Sequence, residues 1–260
     1  MVSDKGFRSG RIHMIIVRQY TMPRYDLGHI DDLLSQKNPP IIAFMSENND
    51  QFTTMFLVRH GETAANASGT WQGATNSALN ERGLTQAQAI AGRLADGDIQ
   101  VDVMYSSPLG RATQTAGFIA QAVGNPPLEL DPALAEFNLG DWEGLTYDNL
   151  RHEKRLWDKM DADPNFRPPG GESAVEFAMR LISAMQSIAA RHPGETIVVV
   201  SHGGAIATAL SMLIEQDGTT WQRYQMANCG LTNMVFDPAP RLVFHNDTAH
   251  LDGIGAIAEW

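Results

Sequence analysis

A chain of 260 residues with 43% hydrophobic composition carries enough apolar surface for one substantial core. The formal net charge of −11 argues against nucleic acid and anionic membrane as partners, since both require a basic face. A single cysteine, Cys229, excludes an internal disulfide and reads as a small buried apolar residue, and no apolar run approaches the ~18 residues of a membrane span.

Residues 1–50 hold six Lys or Arg against six Asp or Glu, with no sustained periodicity and only brief apolar runs such as 14–17. They lack the ~7–15-residue apolar core of a secretory signal. A poorly ordered N-terminal extension is expected there, with Met14, Met22, Met45 and Met55 as alternative starts. Over residues 51–260 strand and helix patterns alternate, as one catalytic domain built on a parallel sheet requires.

The run 55–58 predicts a first strand, and the string LVRHGET at 57–63 places Arg59 and His60 where that strand gives way to a loop. Side chains at the C-terminal edge of a strand in an open α/β sheet reach the crevice where ligands bind. Thr85 with Gln88 matches a capping box, and Leu84, Ala87, Ile90 and Leu94 then share one helical face. The run 101–105 leads through Ser106, Ser107 and Pro108 into a helix that carries Arg111. Its apolar stripe is Leu109, Ala112, Ala116, Ile119 and Val123, and Gly124-Asn125-Pro126-Pro127 stops it.

Glu136 follows in the loop string LAEFNLGDWEG at 134–144. The segment 146–169 carries Arg151, His152, Lys154, Arg155, Trp157, Lys159 and Arg167 among acidic residues. It reads either as a contact for a small anionic substrate or as a solvated amphipathic helix with Leu150 and Trp157 inward. Ser173 begins a further helix with Glu176 reaching back, packs Phe177, Leu181, Ala184 and Ile188, and ends near His192-Pro193-Gly194. Residues 196–200 are β-branched throughout, as a central strand covered on both faces should be. Ser201-His202-Gly203-Gly204 then puts a second imidazole at a strand-to-helix turn. The runs 231–236 and 241–245 predict a hairpin across Asp237-Pro238-Ala239-Pro240. The expected fold is α/β, a three-layer sandwich with a mostly parallel central sheet flanked by helices and no internal repeat.

Two Arg, two His and one Glu make a kit for phosphoryl transfer. The transferring group spreads negative charge over its oxygens, and Arg59 and Arg111 can meet that charge with planar, bidentate forks. His60 is the candidate nucleophile; a nearby carbonyl, its neighbour Gly61's among the choices, could hold its second nitrogen and fix the tautomer. Glu136 is the candidate proton donor to the departing oxygen. His202, if cationic, would add charge stabilisation. A metal-dependent hydrolase is disfavoured because no H-E-x-x-H spacing appears and paired arginines repel a cation. His250 near the C-terminus reads as a surface histidine.

The motifs resemble those of the histidine phosphatase superfamily, the phosphoglycerate-mutase-like group. RHGETAAN at 59–66 matches the group's opening R-H-G-[EQ]-[ST]-x-x-N, and Gln72-Gly73 and Gly83 through Ala87 follow in the group's order. Ser107 through Thr115, Leu134 through Gly144, Gly170 through Ser173 and Ser201 through Gly204 complete the set, so that the resemblance spans about residues 56–251. It implies His60 as the phosphorylated nucleophile, Arg59, Arg111 and His202 as the phosphate pocket, Glu136 as proton donor, and Asn66 and Gly73 as further substrate-binding positions. Mutases of the group resemble R-H-G-E-S-x-W-N, with an adjacent Arg pair later. Here Ala65 stands at the Trp position, no two arginines are adjacent, and Asp141-Trp142-Glu143-Gly144 has the hydrolase-like form.

The resemblance therefore implies a phosphomonoesterase of the histidine acid phosphatase type, acting on a small phosphorylated metabolite. No cofactor, no metal, no nucleic acid and no membrane is expected. A cytoplasmic location is expected, and a homodimer is allowed. The alternatives are a cofactor-dependent phosphoglycerate mutase and a non-catalytic sensor of phosphorylated ligands.

Overall fold

Six strands form one sheet in the computed structural model, which describes residues 52–97, 99–237 and 239–255. The extension expected over residues 1–50 lies outside the described residues. The strands are β1 (Thr53–Arg59), β2 (Val103–Ser106), β3 (Leu128–Leu130), β4 (Thr196–Ser201), β5 (Leu231–Asp237) and β6 (Ala239–Asp247), in the order β3-β2-β4-β1-β5-β6. The pairs β1–β4, β2–β4 and β2–β3 are parallel, while β5 runs antiparallel to both of its neighbours. The expected mostly parallel α/β sandwich is thus the fold found.

Alternation along β1 explains the three layers. Met55 and Leu57 point into one core with Ile197 and Val199, and Phe56 and Val58 point into another with Val198 and Val200. The second core is closed by α2 (Glu81–Ala95) and α3 (Gly110–Ala122), after the short α1 (Ala64–Ser68). The first is closed by α5 (Ala174–Arg191) and α6 (Gly203–Leu210), with Leu150 and Leu156 of the segment around α4 (Leu156–Ala162) packed beside them. Leu181 and Ile188 of α5 are fully buried, each contributing roughly 1.5–3 kcal/mol relative to exposure.

Several local expectations match the structure. Ser173 caps α5 with Glu176 reciprocating, and Phe177, Leu181, Ala184 and Ile188 are its buried face. Ala112, Ala116 and Ile119 are the buried stripe of α3. Cys229 is fully buried.

Others need correction. α2 begins at Glu81, four residues before Thr85, because Asn80 is the stronger cap: its Oδ1 accepts from Gly83 N at 2.8 Å. Thr85 lies inside the helix with its hydroxyl on the Glu81 carbonyl, and Leu84 is 38% exposed instead of inward. The segment 146–169 is two short helical pieces instead of one helix. The chain breaks at Arg155, which sits in the left-handed region (φ 52), although Leu150 is buried and Trp157 packs against the core as expected. The final hairpin is tighter than a four-residue connection, since Asp237 and Ala239 already pair.

Candidate active site

The register of the parallel strands sets the site. Arg59 of β1 lies opposite Ser201 of β4, and Ser106 of β2 opposite Val200, so three strands end at one level. His60 and His202 each follow by one residue and leave the same edge. His60 N donates to Ser201 O at 3.0 Å and Ser107 N to Val200 O at 3.0 Å, continuing the ladder past the strand ends. The two imidazole rings meet edge to face with centroids 5.1 Å apart.

His60 is buried, and its Nδ1 lies 2.7 Å from Gly61 O. A carbonyl can only accept, so the proton sits on Nδ1 and the lone pair on Nε2, which receives the Arg111 Nε–H at 3.2 Å. The neutral form is enforced: burial first, then the charges of Arg111 and Arg59, hold this imidazole well below the ordinary 6.5. Arg111 also donates to Thr75 O at 2.8 Å and Gly73 O at 2.9 Å, and Arg59 Nη1 donates to Met226 O at 2.6 Å. Burial lowers both guanidinium groups to about 10, so both remain cationic at neutral pH.

His202 is also fully buried, with Nε2 2.7 Å from Ser107 Oγ and no protein partner for Nδ1 among the described residues. Desolvation, followed by Arg111, His60 and Arg59, keeps it well below 6.5. Burial and these charges therefore work against the cationic His202 considered from sequence. Glu136 arrives from a loop: Oε1 accepts from Phe137 N at 2.8 Å and Oε2 from Gly204 N at 2.9 Å, in the first turn of α6. A Cβ on Gly204 would lie 2.7 Å from Glu136 Oε1, so this approach needs glycine.

The structure thus brings Arg59, His60, Arg111, Glu136 and His202 together at one sheet edge. Asn66 and Gly73 adjoin them. Asn66 Oδ1 accepts from Thr63 N and Oγ1, closing the capping box of α1, and from Asn228 Nδ2 at 3.3 Å. Gly73 offers its carbonyl to Arg111, and its positive φ of 53° and the 2.7 Å approach of Glu143 Oε1 to a hypothetical Cβ both demand glycine. His250 is only partly exposed, not a free surface histidine: its Nε2–H donates to Cys229 O at 2.9 Å. Cys229 N in turn donates to Arg59 O at 3.0 Å.

Some supporting residues carried no task in the sequence reading. Glu143 accepts from Ala74 N at 2.7 Å and from the Thr75 hydroxyl, and so holds the loop whose carbonyls seat Arg111. Its place in the string W-E-G was the available signal. Gly83 and Gln86 were matched only as motif letters. Gln86 Oε1 accepts from Glu62 N at 2.9 Å, and a Cβ on Gly83 would come within 2.1 Å of Glu62 O, so α2 packs directly on the loop that follows His60. Asn228 gave no signal: its buried amide donates to His60 O at 3.0 Å.

Among the described residues no group of three His, Cys, Asp or Glu is placed to hold a metal ion, and no helix is long and apolar enough to cross a membrane. A family model described as the histidine phosphatase superfamily (branch 1) matches residues 55–248. A probable phosphoglycerate mutase of Yersinia pestis is 36% identical over 206 residues, covering 76% of this chain and 94% of that protein. Among solved structures, a phosphoserine phosphatase from Entamoeba histolytica in complex with 3-phosphoglyceric acid superposes with a TM-score of 0.67 at 33% identity, over 76% of this chain and 99% of that one. A mycobacterial glucosyl-3-phosphoglycerate phosphatase does so with a TM-score of 0.65 at 29% identity, over 76% and 100%.

Proposed function

We propose that this chain, which belongs to the histidine phosphatase superfamily, is a phosphomonoesterase of the histidine acid phosphatase type that hydrolyses a small phosphorylated metabolite through a phosphohistidine on His60. The observation that carries this reading is the state of His60. Its proton is tied to Gly61 O, and its unprotonated Nε2, which accepts from Arg111 Nε, lies buried beside His202.

The ester's phosphoryl group docks between Arg59, Arg111 and His202. These supply the positive charge and donors that its equatorial oxygens need. With the Ser107 hydroxyl donating to Nε2 of His202, Nδ1–H is left as a donor towards the phosphate. The lone pair of His60 Nε2 forms the N–P bond as the ester P–O bond breaks, and Glu136 protonates the leaving oxygen. Water then attacks phosphorus, Glu136 accepts its proton, and the N–P bond breaks to release phosphate and restore neutral His60. An incoming phosphate dianion offsets the guanidinium charges that depress His202, so substrate itself favours its protonation.

The hydrolase reading is preferred to a mutase because Ala65 and the string at 141–144 follow the hydrolase form and no Arg pair is available for a substrate carboxylate. The printed name of the Yersinia relative makes the mutase the reading to test against. Phosphate release from p-nitrophenyl phosphate and from a phosphoglycerate, each with EDTA present, is the deciding assay. Sustained release in EDTA is expected. Isomerised phosphoglycerate without free phosphate would establish the mutase, loss of activity in EDTA a metal enzyme, and no turnover a sensor.

A further inference from the structure

Arg180 lies on α5, outside the motif set, yet its guanidinium reaches the loop that carries Glu136. Nη1 donates to Ala133 O at 3.0 Å and Ala135 O at 2.8 Å, and Nη2 donates to Glu136 O at 3.0 Å. Nε and Nη2 also form a two-pronged pair with Glu172, at 3.0 Å to Oε2 and 2.7 Å to Oε1. Glu172 itself grips the next stretch of the loop: Oε1 accepts from Asn138 N at 2.9 Å, and its own N donates to Asn138 O at 3.0 Å. Both members are mostly shielded, with side-chain exposures of 25% and 16%.

The geometry has a specific consequence. The carbonyls of Ala135 and Glu136 belong to the two peptide planes that flank the Glu136 Cα, and Arg180 pins both. With those planes fixed, only the side-chain torsions of Glu136 are free, and Phe137 N and Gly204 N fix the carboxylate. A loop residue is thereby given the positional precision that His60 receives from a strand. Glu172 balances the guanidinium's charge, so the clamp positions the acid without leaving an unpaired cation close to it.

We propose that Arg180, held by Glu172, is a positioning residue for the proton donor Glu136. This rests on the assignment of Glu136 above, and it predicts a defect confined to leaving groups that need a proton. Misplacing a general acid by a fraction of an ångström to an ångström typically costs up to ~100-fold, whereas an activated phenolate departs without help.

The test compares kcat/KM for p-nitrophenyl phosphate and for glycerol phosphate in Arg180→Met, Arg180→Lys and Glu136→Gln, with thermal unfolding of each variant. Arg180→Met is expected to slow the alkyl ester on the order of tenfold to a hundredfold and the aryl ester less than about threefold, with the same ester ranking as Glu136→Gln. Arg180→Lys keeps charge and stem but cannot reach three carbonyls and a carboxylate at once, so it should show the same selectivity more weakly. It also serves if the Met variant fails to fold. Equal slowing of both esters in the Arg180 variants, with Glu136→Gln selective, would overturn the positioning role alone. Equal slowing in Glu136→Gln would overturn the acid assignment and the proposal with it.

Discussion

His60 and Glu136 approach the same pocket from elements of opposite kind. His60 sits one residue beyond β1, and its backbone is held largely by main chain: Ser201 O accepts its N–H and Cys229 N donates to its carbonyl, which also accepts from the Asn228 side-chain amide. Glu136 sits in an irregular loop, and side chains from elsewhere in the sequence, Arg180 and Glu172, perform the bracing that a sheet performs for His60. The His60 rim is thus fixed by the sheet's own ladder, whereas the Glu136 loop is anchored in the core by Leu134, Phe137 and Leu139 and is held at Glu136 itself by side chains. Disturbing the first should cost stability as well as activity, and disturbing the second mainly activity.

The largest expected effect is that of His60→Ala, which should lower kcat on every phosphate ester by roughly a hundred-thousand-fold while leaving the circular dichroism spectrum unchanged. An alanine variant with wild-type phosphate release would remove His60 from the mechanism. Next comes Glu136→Gln, expected to slow alkyl esters by about 10²–10⁴-fold in kcat/KM, with aryl esters largely spared.

A pair of glycine substitutions sharpens the contrast between rim and loop. A Cβ at position 83 would lie 2.1 Å from the Glu62 carbonyl, a backbone atom two residues after His60, so Gly83→Ala should destabilise the protein by about 1–3 kcal/mol in denaturant titrations. A Cβ at position 204 would meet the end of the Glu136 side chain, 2.7 Å away, so Gly204→Ala should displace the carboxylate instead. About a tenfold loss of kcat/KM on alkyl esters is expected, with stability nearly unchanged. If the two variants lost stability equally, the distinction between rim and loop would fail.

The smallest effect concerns pH. Burial holds His60 and His202 below 6.5 in the folded chain, so as pH falls the unfolded chain takes up these protons first. Between the two values the unfolded state binds more protons and stability rises with pH, which means it declines as pH drops from about 7 to about 5. The mutation His202→Asn should make that decline shallower than in the wild type. An identical slope would mean that His202 titrates alike in the folded and unfolded chains, and a steeper one that it is held protonated in the fold. Because His60 is already neutral at pH values below 6.5, the acid limb of kcat/KM is also expected to lie below that point.

The rim was far more legible in sequence than the loop. β-branched and apolar runs identified β1 and β4, and a His directly after each run had to emerge at the sheet's edge whatever the partners were. The Ser173 cap with Glu176 was legible for the same local reason, while Thr85 misled because Asn80, a better cap, lay just upstream. Arg180 could not be read, since its position on α5 gives no sign that the 133–138 loop will pass beneath it. His250 looked like a free surface residue because only the packing of the C-terminal turn onto Cys229 partly covers it.

By itself, the sequence determined which chemical groups leave the ends of which strands, because strand and helix periodicities and motif spacing are local properties of the chain. Only the tertiary structure decided the nitrogen on which His60 carries its proton, that burial opposes a charge on His202, and which residues brace Glu136. Those outcomes depend on desolvation and on charges and carbonyls that meet only when distant segments pack together, and no local pattern encodes such distances.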